Sequence, residues 1–196
     1  MRKVKWMQLQ DKGNNRTKKT VFIALLLSLA LVISYMEQFI PVPVVVPGVK
    51  LGLANIITLT ALYYLSFKEC FMLVILRVVL NAFFAGNIVS MWYSLSGGIL
   101  SFMVMFLLVR LFKDRLSHVF LSITGALFHN IGQLIVVGII TKSFLVALGY
   151  FPILAVSAVV GGTFTGLCAE RIIKILNCNA FLFNNDSTAI TPVKNR

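Results

Sequence analysis

The stretch IVSMWYSLSGGILSFMVMFLLVRLF, residues 88–112, decides how the rest of the chain is read. From Ile88 to Val109 it carries no charge; Arg110 appears only as the run closes, and Lys113 and Arg115 follow. A helix of this length matches a bilayer's hydrocarbon, roughly 30 Å, which about twenty apolar residues cross. The basic cluster at its end belongs on the cytoplasmic side, where short loops rich in Lys and Arg are retained. Working outward, comparable apolar runs predict further helices over residues 20–40, 51–65, 68–85, 118–141 and 144–175. The expected fold class is all-α: a polytopic membrane protein with six transmembrane helices and both termini cytoplasmic.

Charge sorts along these helices. Fifteen of the eighteen Lys and Arg fall on one side: Arg2, Lys3, Lys5, Lys12, Arg16, Lys18 and Lys19, then Lys68, then Arg110, Lys113 and Arg115, then Arg171, Lys174, Lys194 and Arg196. Only Lys50 and Lys142 fall on the other, and Arg77 lies inside a span. With 59% hydrophobic and 12% charged residues, the chain is far from soluble domains, of which about a quarter is charged. The net charge of +12 therefore reports topology. Its separation into short loops argues against nucleic-acid binding, which needs one basic patch. The first apolar run is too long for a signal-peptide core, and Glu37-Gln38 is no cleavage site, so it reads as a retained helix. The organisation expected is a basic cytoplasmic tail (1–19), a six-helix domain (20–176) and a polar cytoplasmic tail (177–196), disordered after Cys178, in a bacterial cytoplasmic membrane. The sixth helix is expected to bend at Pro152 and Gly161-Gly162. Cys70, Cys168 and Cys178 lack metal or CxxC spacing and read as packing residues.

The external segment PVPVVVPGVK, residues 41–50, holds three prolines within seven residues and cannot be helical. Its valines are too apolar for an ordinary solvated loop, and irregular backbone at membrane depth persists only where protein buries it or where it lines a cavity. It reads either as a lid or as a stiff interfacial hairpin.

Ionisable groups inside spans usually face a cavity or a partner. Arg77 sits mid-way along the third predicted helix, with Asn81 one turn on. His129 and Gln133 share a face of the fifth, with Asn130 beside them. Glu37 ends the first helix, Lys50 precedes the second, and Asn55 lies one turn inside it. Together they describe a polar pocket open to the outside. The competing reading is that Arg77 pairs with Glu37 or with carbonyls while the amides bind helix to helix. Small residues form a second set: Ala24 and Ser28, Gly162 and Gly166, and Gly97-Gly98 with Ser94 and Ser101 permit close helix approach, and the first pair could instead dock another membrane protein.

What is missing also decides. Prenyl-diphosphate chemistry needs clustered acids to hold magnesium, yet Asp11, Asp114 and Asp186 stand alone. There is no P-loop and no Ser, His and acid arrangement, and the two histidines do not make a ligand pair. No enzyme activity, cofactor or metal is expected.

The blocks PGVKLGLANI (47–56), RVVL (77–80), YSLSGG (93–98) and GALFHNIGQL (125–134) resemble the Gx transporter family, often labelled heptaprenyl diphosphate synthase component I. That family is similar to the substrate-binding S components of energy-coupling factor (ECF) transporters. The resemblance implies a six-helix bundle that captures a small vitamin-like solute beneath its first external loop, with a separate transmembrane T component and two ATPases driving release inside. It also implies that Ala24 and Ser28 form the T-component docking face, although Ser28 departs from an all-alanine pattern. Two other readings stay open: a non-catalytic membrane partner in prenyl diphosphate or quinone synthesis, and a partner in flavin-based extracellular electron transfer. Flavinylation within residues 121–127 is not expected, since LSITGAL has the centre of a flavin-attachment stretch but Leu where the acid and the acceptor Thr belong.

Overall fold

The computed structural model describes residues 2–37, 39, 52–112 and 116–183. They form six helices: α1 (Arg2–Glu37), α2 (Asn55–Tyr64), α3 (Phe67–Ala85), α4 (Ile88–Phe112), α5 (His118–Ile140) and α6 (Phe144–Phe183). Local chemistry marks where several begin. At α3, the Glu69 carboxylate accepts from the Ser66 N–H at 3.0 Å and from its hydroxyl at 2.8 Å, a capping box. Asn87 Oδ1 accepts from the Ser90 N–H at 3.0 Å at the start of α4, and Ser117 Oγ from the Phe120 N–H at 3.1 Å at α5. Gly86 closes α3 at φ 63°, in the left-handed region that glycine enters without strain.

Four stretches are long and apolar enough to cross a membrane: Thr17–Glu37, Ile88–Phe112, His118–Ile140 and Phe144–Leu176. The other two helices fall short of that measure, α2 in keeping with its short apolar run. With 10 residues, α2 is about 15 Å long, half of a hydrocarbon core, and it starts at Asn55 where helix was expected from residue 51. Lys68, Glu69 and Arg77 make α3, at 19 residues, too charged to qualify by composition. At the chain ends, α1 is helical from Arg2 through the predicted basic tail, and α6 runs past Cys178 to Phe183. Pro152 lies inside α6, which continues past it. The proline segment 41–50, Lys50 included, lies outside the described residues.

Glycine and serine set how closely the helices meet. A Cβ on Gly132 of α5 would come within 2.7 Å of the Ser96 carbonyl and 2.8 Å of Gly97 Cα on α4. Ser96 Oγ donates to the Gly132 carbonyl at 2.9 Å across that crossing. Between α5 and α6, a Cβ on Gly162 would meet Ile123 Cα at 2.6 Å and one on Gly166 would meet Val119 Cα at 2.6 Å, while Ser122 and Thr165 share a hydrogen bond of 2.6 Å. Small residues here bring backbones together, the use expected of them in a membrane bundle. The short α2 touches each of the other five helices and is buried from Asn55 to Ala61. Around its far end lies an apolar core with Leu26, Ile57, Leu59, Leu73 and Met105, continued by the rings of Phe67, Phe71, Phe102 and Phe106.

The outer faces are apolar too. Val21, Leu25, Leu29 and Val32 on α1 are exposed beside Ala24 and Ser28, and Leu145, Leu148, Val156 and Val160 on α6 are exposed likewise. Surfaces of this kind suit lipid and not water, so the chain is a membrane protein. An apolar groove of about 560 Å³ between α5 and the start of α6, walled by Ile131, Ile135, Phe144 and Leu148 among others, opens on this same surface.

Candidate functional site

Glu37, the last residue of α1, is buried, and its Oε1 accepts hydrogen bonds from the backbone N–H of Gly52 and, at 3.3 Å, of Leu53. The carboxylate thereby ties the end of α1 to the turn that leads into α2. Gly52 has φ 81°, which an L side chain rarely adopts, and a Cβ there would stand 3.0 Å from both His129 Cδ2 and Asn55 Nδ2. The residue is glycine for two reasons: the turn needs left-handed backbone, and the imidazole occupies the space.

On α3, Arg77 and Asn81 stand one turn apart and both are buried. Arg77 is only 4% exposed, so its charge is held away from solvent. Its Nη2 lies against α4, where a Cβ on Gly98 would sit 3.4 Å away. Its Nη1 has no hydrogen-bond partner among the described residues. Burying a guanidinium costs several kcal/mol unless charge and hydrogen bonds compensate it, and Glu37 supplies an attractive opposite charge. On α5, His129 Nε2 and Gln133 Nε2 are 2.6 Å apart, so the amide orients the ring. The other side of the ring fills the room left by Gly97, where a Cβ would come within 2.9 Å of Nδ1.

These groups enclose one cavity, lined by Ser34, Glu37, Gly52, Ala54, Arg77, Val78, Asn81, Ser94 and His129. Its volume is about 20 Å³, room for roughly one water. The far larger groove on the α5–α6 surface is almost wholly apolar and touches none of these groups, so size does not mark the chemistry here.

Of the residues singled out from the sequence, the structure brings Glu37, Arg77, Asn81 and His129 to the cavity wall. Gln133 joins through His129. Asn55 is buried next to Gly52 with neither amide atom partnered among the described residues, behind the wall and not in it. Asn130 turns elsewhere: it follows His129 by about 100° around the helix and donates from Nδ2 to the Leu154 carbonyl of α6 at 2.8 Å, joining two helices. Lys50 lies outside the described residues. Ala24 and Ser28 are both exposed on α1, where Ser28 Oγ donates to the Ala24 carbonyl of its own helix at 2.9 Å. Ser34 was missed, because one hydroxyl in an apolar run leaves no pattern; Ser94 was picked out only for packing.

A family model described as heptaprenyl diphosphate synthase component I matches residues 26–172, the stretch that holds every cavity-lining residue. No curated protein and no solved structure matches the chain.

Proposed function

The chain belongs to the heptaprenyl diphosphate synthase component I family, and from that premise we propose that it is a non-catalytic, substrate-binding membrane protein of the S-component kind. It captures a small solute from outside and hands it inward with energy supplied by a T component and two ATPases. Arg77 is the anchor for an anionic or strongly accepting group on the solute. His129, held by Gln133, adds a hydrogen bond, Asn81 and Asn55 adjoin, and Lys50 with the proline segment closes the entrance.

The observation that carries this reading is a buried guanidinium, one nitrogen of which has no partner among the described residues, in the wall of a void between four helices and a glycine turn. Such a group is expensive to bury and is usually retained for a ligand. The void holds about one water as it stands, so solute entry requires it to widen. The uncovered Ala24/Ser28 face of α1 supports a membrane partner there.

The test is mass spectrometry of small molecules retained by the purified protein. Wild type should carry one solute at near-stoichiometric amount, and Arg77→Ala should lose it while inserting normally. Equal retention by the folded variant would remove Arg77 as the anchor. The family description favours a second reading, a membrane partner of a prenyl diphosphate synthase. That reading requires co-purification with a soluble Asp-rich synthase and no retained solute.

A further inference from the structure

The groove between α5 and α6 stands apart from the cavity and has a chemistry of its own. Ile131, Leu134 and Ile135 wall it from α5, and Phe144, Leu148 and Phe151 from α6, at the three- and four-residue spacings that share a helix face. The ring of Phe144 packs onto α5 at one end, where a Cβ on Gly138 would come within 2.7 Å of it. At that end residues 141–143 turn the chain from α5 into α6, with the Ser143 N–H donating to the Gly138 carbonyl at 3.1 Å. The middle residue of the turn, Lys142, is exposed and takes φ 52°, a region where glycine or asparagine is usual. A cation thus occupies a strained backbone position beside an apolar groove.

Lys142 is the only Lys or Arg between Leu116 and Ala169, and that stretch contains no Asp or Glu. Residues 40–51 contain no acid either. Among the described residues the ion pairs lie elsewhere, at Lys19–Glu69 and Glu170–Lys174. The positive end of α6 reinforces Lys142, since no acidic residue stands in its first turn. We propose that this groove binds an anionic phospholipid, with acyl chain between α5 and α6 and the phosphate at Lys142. Both halves of such a molecule are matched: hydrocarbon by apolar walls on the lipid-facing surface, and the acidic head group by a lysine at their edge. Size favours a chain over a protein. At roughly 30 Å³ per methylene, the share of a water in its liquid, 560 Å³ admits about eighteen methylenes. A partner helix, roughly 10–12 Å wide with its side chains, would fit only about one turn into the same space.

The probe is an equimolar mixture of phosphatidylglycerol and phosphatidylcholine with identical chains, added to delipidated full-length protein and read by native mass spectrometry. Wild type should retain phosphatidylglycerol about fivefold over phosphatidylcholine, the preference expected from one lysine near a membrane surface. Lys142→Asn, which removes the charge and suits the left-handed turn, should retain the two lipids equally, and Lys142→Arg should keep the preference. Ile135→Trp, which extends the half-exposed α5 wall across the groove, should retain neither lipid. Equal retention by wild type would overturn the proposal, and so would a preference that survives Lys142→Asn. Lipid retained at the wild-type amount by a folded Ile135→Trp protein would place the chain elsewhere and refute the groove as its site. A wild-type dimer that Ile135→Trp disperses, with no lipid retained, would assign the groove to a second copy of this chain instead. If Ile135→Trp does not fold, Leu148→Trp on the opposite, exposed wall takes its place in the same measurement.

Discussion

The two ends of the bundle are built on opposite plans. Where Phe67, Phe102 and Phe106 meet, the interior is filled by rings and aliphatic chains, with Phe67 and Phe106 at 4.8 Å between centroids and Phe67 and Phe102 at 5.3 Å. Where Glu37, Gly52, Arg77 and His129 meet, it holds charges, an imidazole and a small void. The first end gains from dispersion and tight packing; the second forgoes packing for groups that are costly to bury. On the proposed function, stability and recognition fall to different halves of the same helices, and substitutions should separate them.

The largest effect is expected where backbones touch. Gly132→Val places side-chain atoms inside Ser96 and Gly97, so the α4–α5 crossing must open; we expect little folded protein, read as the monodisperse fraction after extraction. Phe102→Ala empties a fully buried site at the packed end and should lower stability by about 3 kcal/mol, measured by thermal or denaturant unfolding, with solute retention intact at moderate temperature. Arg77→Ala should abolish retention while leaving the packed end intact; it strands the buried Glu37 carboxylate without its counter-charge, so the melting temperature should fall as well. A Phe102→Ala protein that folds yet loses its solute would show that the two halves are coupled. The smallest effect belongs to Thr165→Val, which removes the hydroxyl bonded to Ser122 between α5 and α6 and should cost about 0.6 kcal/mol with no change in binding.

Much of this was legible from the chain because membranes simplify its grammar. The predicted boundaries of α4 coincide with the structure at both ends, since an uncharged run closed by Arg110 leaves little choice. The convergence of Arg77 with His129 followed from the rule that polar groups in spans face inward. What escaped prediction depends on contacts distant in sequence. That α2 begins at Asn55 follows from Glu37 holding the Gly52 turn fifteen residues away, and no local signal announces it. Asn130 looked equivalent to His129 until α6 was placed beside it and took its amide. The helical continuation of α1 and α6 beyond the apolar runs was also unmarked, because hydropathy reports where lipid ends and not where a helix does.

The glycine crossings have a mechanical consequence. With backbones meeting at Gly132, Gly162 and Gly166, α4, α5 and α6 form a stiff slab whose members have little room to slide. Among the described residues α1 packs only on α2 and α3, and it is fastened near the cavity by the carboxylate at its own tip. On the proposed function, admitting anything larger than a water would therefore fall to the tip of α1 and the glycine turn, moving against that slab.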